Sequence, residues 1–131
     1  MSDPGDGLSA HRYVRAVMDS FGAAVHAQNI EGVLRVCTDD VILVGLGREE
    51  VGIGRDDVTR FLTALFSEVP PVTWEWDDWE IRDGGSQAWF VTEGRVRFGD
   101  TISPYRASGV CRRDEFGEWK LAMFHGATPD D

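Results

Sequence analysis

From Thr73 to His125 the chain is a succession of long alternating runs separated by short turn signals, and this constrains the fold more than any other feature. "TWEWDDWEIR" alternates at Trp74 and Trp76, then changes phase to Trp79 and Ile81, which predicts a β-bulge near Asp77 and Asp78. "DGGS" is a turn, "QAWFVTEGRVRF" a strand, and "GDT" a turn into "ISPYRASGVCRR"; "DEFGE" then leads into a last strand over about residues 118–125. Strands joined by loops this short must be antiparallel neighbours, so the second half of the chain is a meander.

The first half carries helical spacing instead. Ser9 is placed to cap a helix over about residues 9–28, with Tyr13, Val17, Phe21, Ala24 and Val25 along one stripe. A short second helix follows, with Ile30, Val33, Leu34 and Cys37 on one face, and then the β-branched run "DDVILVG", a strand at about 40–45. "LGREEVGIG" reads as loop or hairpin. Asp56 or Asp57 opens a third helix with Val58, Phe61, Leu62, Leu65 and Phe66 on one stripe, which "EVPPVT" ends. Residues 1–8, rich in Gly, Asp and Pro, are expected to be a disordered tail before a single domain at 9–129. Helices first and strands afterwards indicate an α+β protein with its helices on one sheet face.

The net charge of -10 argues against nucleic acid and anionic membrane surfaces as partners, since both require a basic patch. No apolar run approaches the ~18 residues of a membrane span. The N-terminus lacks the basic and apolar regions of a signal peptide, so a cytoplasmic protein is expected. Cys37 and Cys111 are then expected as free thiols. His11, His26 and His125 have no metal-ligand spacing, and neither a metal nor a cofactor is expected. "GLGREEVG" has the place of a dinucleotide loop, but Glu50 stands where a glycine is needed and Glu49 beside it would repel phosphate. Asp39–Asp40 and Asp77–Asp78 are adjacent, so on a strand each pair points to opposite faces and forms no dyad. The five tryptophans read as core and interface packing first, and as ligand stacking second.

Three stretches together resemble the SnoaL-like branch of the nuclear transport factor 2-like superfamily: "AAVHAQNIEGVLRVCTDDVILVG", "GIGRDDVTRFLTALF" and "YRASGVCRRDEFGEWKLAMFHGATP". The last also resembles the association domain of calcium/calmodulin-dependent kinase II, although Gly126 stands where that domain has an arginine. The resemblance implies a cystatin-like cone, a curved antiparallel sheet wrapped around the long first helix with two further helices, enclosing an apolar cavity. Relatives include ketosteroid isomerase, polyketide cyclases, dehydratases and domains without chemistry. The isomerase's base, oxyanion-hole tyrosine and protonated aspartate fall at Gly45, Phe21 and Gly109, so that chemistry in its usual form is not expected.

The resemblance also assigns sheet faces. Phe90, Thr92, Tyr105, Ala107, Gly109, Ala122 and Phe124, with Phe21 and Phe61 from the helices, would line the cavity. Trp89, Val91, Val110, Trp119, Leu121, Met123 and His125 would form an outer face too apolar for water, covered by a second copy of the chain. His125 would sit at the rim of that contact. Two functions follow: a pocket protein for a small apolar or polyketide-like ligand, with isomerase, cyclase or dehydratase chemistry if it is an enzyme, or a non-catalytic association module. Asp40, Tyr105 and His125 are the catalytic candidates.

Overall fold

The structure is a computed structural model that describes residues 6–45 and 50–129. Its elements are α1 (Asp6–His26), α2 (Ile30–Arg35), β1 (Cys37–Val44), β2 (Val51–Ile53), α3 (Gly54–Glu68), β3 (Val72–Asp83), β4 (Gln87–Phe98), β5 (Thr101–Arg113) and β6 (Trp119–Ala127). Residues 1–5 of the expected tail, and 46–49 of the expected loop, lie outside the described residues. The first helix begins at Asp6, so Ser9 lies within it rather than capping it. Helix α3 likewise begins before the expected cap: Ile53 is its N-cap with no side-chain cap, and Asp56 and Asp57 lie within the first turn, where the Asp57 carboxylate accepts the backbone N–H of Ile53 at 2.9 Å.

The α+β class is as expected, but the wrapped cone is not. The six strands form one open sheet in the order β2-β1-β6-β5-β4-β3, with β2 and β3 at opposite edges and unpaired with each other. Closing a sheet requires its two edges to be hydrogen-bonded, with matching tilt and stagger. Here one edge strand has only three residues and the other has twelve. Nor is the sheet wholly antiparallel, because β1 runs parallel to β6, with Leu43 opposite Phe124 and Val44 opposite His125. Rather than being encircled, α1 lies on one face of the sheet, mainly against β3 and next against β6, and α3 covers β1 and β2.

Two bulges decide which side chains meet the helices. In β3 the register shifts between Trp76 and Asp78, so Trp74, Trp76, Trp79 and Ile81 all lie on the helix-covered face, as the phase change in the sequence predicts. In β6 the register passes from Leu121, opposite Cys111, to Met123, opposite Val110, leaving Ala122 as the extra residue. This second bulge reverses the face expected for Trp119 and Leu121. Leu121 is fully buried, and Trp119 stacks on Tyr13 of α1 with ring centroids 5.5 Å apart. Neither belongs to the outer face. Burying a leucine contributes ~1.5–3 kcal/mol, so inverting this one segment is a substantial gain for the core.

Leu121 also separates the two cysteines. Cys37 of β1 and Cys111 of β5 both pair with it, one on each side. Two strand spacings of ~4.8 Å exceed the Cα separation a disulfide can span. Both thiols are free and buried, and burial pushes each up to about 12 from 9.0. Below pH 9 the thiols are protonated whether the chain is folded or not. Above it, only the unfolded chain releases these protons, so folding stability falls as pH rises from 9 towards 12. Melting curves from pH 8 to 11 should show this fall, and Cys111→Ala should flatten it. An unchanged slope in the variant would remove the thiols from the account.

Candidate functional site

A cavity of about 230 Å3 opens between the helices and the helix-covered face of the sheet. Helix α1 contributes Phe21 and Val25, because both fall on its buried stripe; α3 contributes Phe61, Leu62 and Leu65. From the sheet come Leu43 and Val44 of β1, Val72 and Trp74 of β3, Val96 and Phe98 of β4, Ser103 and Tyr105 of β5, and Phe124 of β6. Gly45, Glu50, Val69 and Thr128 complete the described lining.

One wall is an aromatic cluster. Phe21 stacks on Trp74 at 5.6 Å, Phe124 lies 5.0 Å from Phe21 and 5.5 Å from Trp74, and Tyr105 is 6.0 Å from Trp74. Such pairs contribute ~0.5–1.5 kcal/mol each beyond their buried area and hold the rings in fixed relative positions. The cluster draws on four elements because the β3 bulge keeps Trp74 and Trp76 on the same face as Trp79.

The polar groups are few, as ligand pockets require. The ring of Tyr105 lies directly over Gly126; a Cβ there would come within 2.6 Å of the tyrosine Cζ. Glycine at 126 therefore makes room for the phenol. Burial first, and the negative charge of Glu50 second, push the Tyr105 hydroxyl up to about 12. It is a neutral hydrogen-bond donor at ordinary pH, not a base. The indole N–H of Trp74 lies beside that hydroxyl and tempers its shift, yet it has no partner at hydrogen-bond geometry. Glu50 is held at the mouth by its backbone carbonyl, which accepts the Gly45 N–H at 2.6 Å. Its side chain occupies the space that a side chain at Gly45 would need.

Of the nine residues expected to line a cavity, Phe21, Phe61, Tyr105 and Phe124 come together here. Phe90, Thr92, Ala107 and Gly109 share the same sheet face but lie in the filled core beyond the cavity. Phe90 packs on Trp79 at 5.8 Å, and the Thr92 hydroxyl donates to the Asp78 carbonyl at 2.7 Å, across the β3 bulge. Ala122 is the half-buried bulge residue. The three catalytic candidates are not brought together. Asp40 lies in a separate polar groove with Arg112, Arg113, Asp114 and Lys120. The Arg112 hydrogen bond at 2.6 Å, and then that of Thr38, hold its carboxyl below the usual range. His125 is exposed, in register with Ser108 on the uncovered face of the sheet. Trp74 and Glu50 are the site residues that reasoning from sequence missed. The alternation of Trp74 with Trp76 was the available signal for one, and the closure of the β1–β2 hairpin, a contact across the loop, places the other.

Among the described residues no group of three or more His, Cys, Asp or Glu is placed to hold a metal ion. No described helix is long and apolar enough to cross a membrane.

The same architecture recurs among solved structures. A candidate scytalone dehydratase from Novosphingobium aromaticivorans superposes with a TM-score of 0.81 at 12% identity, over 98% of this chain and 89% of that one. A candidate dehydratase of the nuclear transport factor 2-like family from Streptomyces avermitilis gives 0.78 at 19% identity, over 92% and 96%. A candidate calcium/calmodulin-dependent protein kinase type II association domain from Thiobacillus denitrificans gives 0.76 at 17%, over 88% and 94%. At these identities the likeness is one of fold. No curated protein matches the sequence. The model of the SnoaL-like domain matches residues 14–131, nearly the whole chain, and the protein belongs to that family, within the nuclear transport factor 2-like superfamily.

Proposed function

We propose that the chain binds a small, largely apolar, polyketide-like molecule in the cavity between α1, α3 and the sheet, and carries out proton-transfer chemistry of the isomerase, cyclase or dehydratase kind. The observation that carries this reading is the aromatic wall ending in a phenol donor, with a carboxylate at the mouth. The isomerase resemblance puts a base at Gly45, where this chain has none. Glu50 fills the space beside Gly45, so it is the group we assign to proton abstraction, with Tyr105 donating to the oxygen on which charge develops. Two relatives described as candidate dehydratases share the fold that frames this cavity. Binding of an apolar fluorescent probe that brightens on burial tests the pocket, with Ser103→Phe as the variant that fills it. We place the protein in the cytoplasm, where two free thiols stay reduced.

A second reading rests on a different surface. Trp89 (48% exposed), Val91 (45%) and Ile42 (36%) lie on the uncovered face of the sheet, with Val110 and Met123 between them. Without Trp119 and Leu121 this patch is smaller than the sequence implies, yet it remains contiguous across β4, β5, β6 and β1. We propose that a second copy of the chain covers it, giving a homodimer whose two cavities face away from each other. Light scattering at micromolar concentration should give twice the chain mass, and Val91→Arg should return it to the monomer. A monomeric wild type contradicts the dimer and leaves the pocket reading intact.

A further inference from the structure

The buried indole N–H of Trp74 is unexplained by the fold alone. It has no hydrogen-bond partner among the described residues, and native proteins pair nearly all such groups. Trp79 has the same deficit, but it does not line this cavity. Trp74 does line the cavity, and its neighbour on that wall is Tyr105, whose hydroxyl burial keeps protonated. Two donors thus sit side by side at one end of an apolar space. Among the described residues no Lys, Arg or His lines the cavity.

We infer that the Trp74 Nε1–H and the Tyr105 hydroxyl together receive one acceptor oxygen of the ligand, and that the cavity selects a neutral cyclic carbonyl compound, a ketone or lactone of one or two fused rings. This rests on the pocket reading above and gives that pocket its ligand class. The size follows from the volume: about 230 Å3 is the space of roughly eight waters at ~30 Å3 each. The charge follows from the largely apolar described lining, in which an ionised ligand would lose its hydration. The acceptor follows from Trp74, whose N–H can only donate. A carbonyl seated against it satisfies the donor and is itself satisfied. Trp74 and Tyr105 touch the ligand in this arrangement, and Gly126 is the positioning residue that lets Tyr105 reach it.

The test compares indanone with indane, two molecules of one shape that differ in a carbonyl. In a cavity without donors, indane binds better, because a carbonyl leaves water at a cost that nothing returns. With the donor pair, the order reverses. The full-length chain labelled with 15N shows one indole signal for each of its five tryptophans, and Trp74→Phe identifies the relevant one. Indanone is expected to bind at least tenfold more tightly than indane and to move the Trp74 indole proton downfield. Tyr105→Phe, which keeps the ring and the fold, should reduce that preference several-fold. Equal or weaker binding of indanone, with the Trp74 signal unmoved, overturns the donor pair while the pocket stands. Failure of both molecules and of an apolar fluorescent probe to bind overturns the pocket, and the donor pair with it.

Discussion

Gly109→Leu is expected to lower the melting temperature by ~10 °C or more, or to prevent folding altogether. Gly109 lies in the middle of β5, opposite Phe90 on one side and Phe124 on the other. Its missing side chain leaves no void. A Cβ there would press on the Met123 carbonyl oxygen and come within 2.8 Å of the Phe90 ring. The first obstacle is backbone of the neighbouring strand and cannot rotate away. The second is a buried ring already held against Trp79. Overpacking a core that can adjust costs ~1–3 kcal/mol, and a clash with a strand backbone lies at or beyond the top of that range. In a domain of this size each kcal/mol moves the midpoint by roughly 2–8 °C. Thermal melting measures it directly. A variant that melts with the wild type would show a flexible or empty core at this point, and the placement of the cavity would have to be redrawn.

The small residues of β5 show why the fold was easier to read than the site. Tyr105, Ala107, Gly109 and Cys111 share a face by simple alternation, and the structure places all four under the helices. What alternation does not carry is depth along the strand. Tyr105 lies at the open end, whereas Ala107 and Gly109 lie where the layers close together. Small side chains suit an empty space and a close approach equally well, and only the positions of neighbouring strands separate the two. The bulge at Asp77 was legible because four large side chains mark its phase. The bulge at Ala122 was not, because "WKLAMF" has apolar residues on both faces and no phase to break. The open sheet was illegible for a related reason. Pairing of β1 with β6 joins residues about 80 apart in sequence, and no local pattern reports whether the far edges also meet. Glu50 was visible only as the residue that spoils a nucleotide loop; its place at a cavity mouth depends on the hairpin that returns it to Gly45.

Filling the cavity should abolish ligand binding without harming the fold. Ser103 is the position for this, since it points from β5 into the cavity opposite Val96 and is only half-buried. A phenylalanine there enters existing space, so it meets none of the backbone that opposes a side chain at Gly109. Its apolar area comes out of water at ~25 cal/mol per Å2, which offsets the loss of the serine hydroxyl. The melting temperature should therefore hold or rise. Trp89→Ala on the uncovered face is the matched control and should leave the pocket untouched. The deciding measurement is titration of an apolar fluorescent probe into wild type, Ser103→Phe and Trp89→Ala, each with its melting curve. The predicted result is one probe bound per wild-type chain, binding retained in Trp89→Ala, and at least a tenfold loss in Ser103→Phe with an unchanged or higher melting temperature. Equal probe binding by wild type and Ser103→Phe, or binding lost only in Trp89→Ala, would place the ligand on the outer face and contradict the pocket.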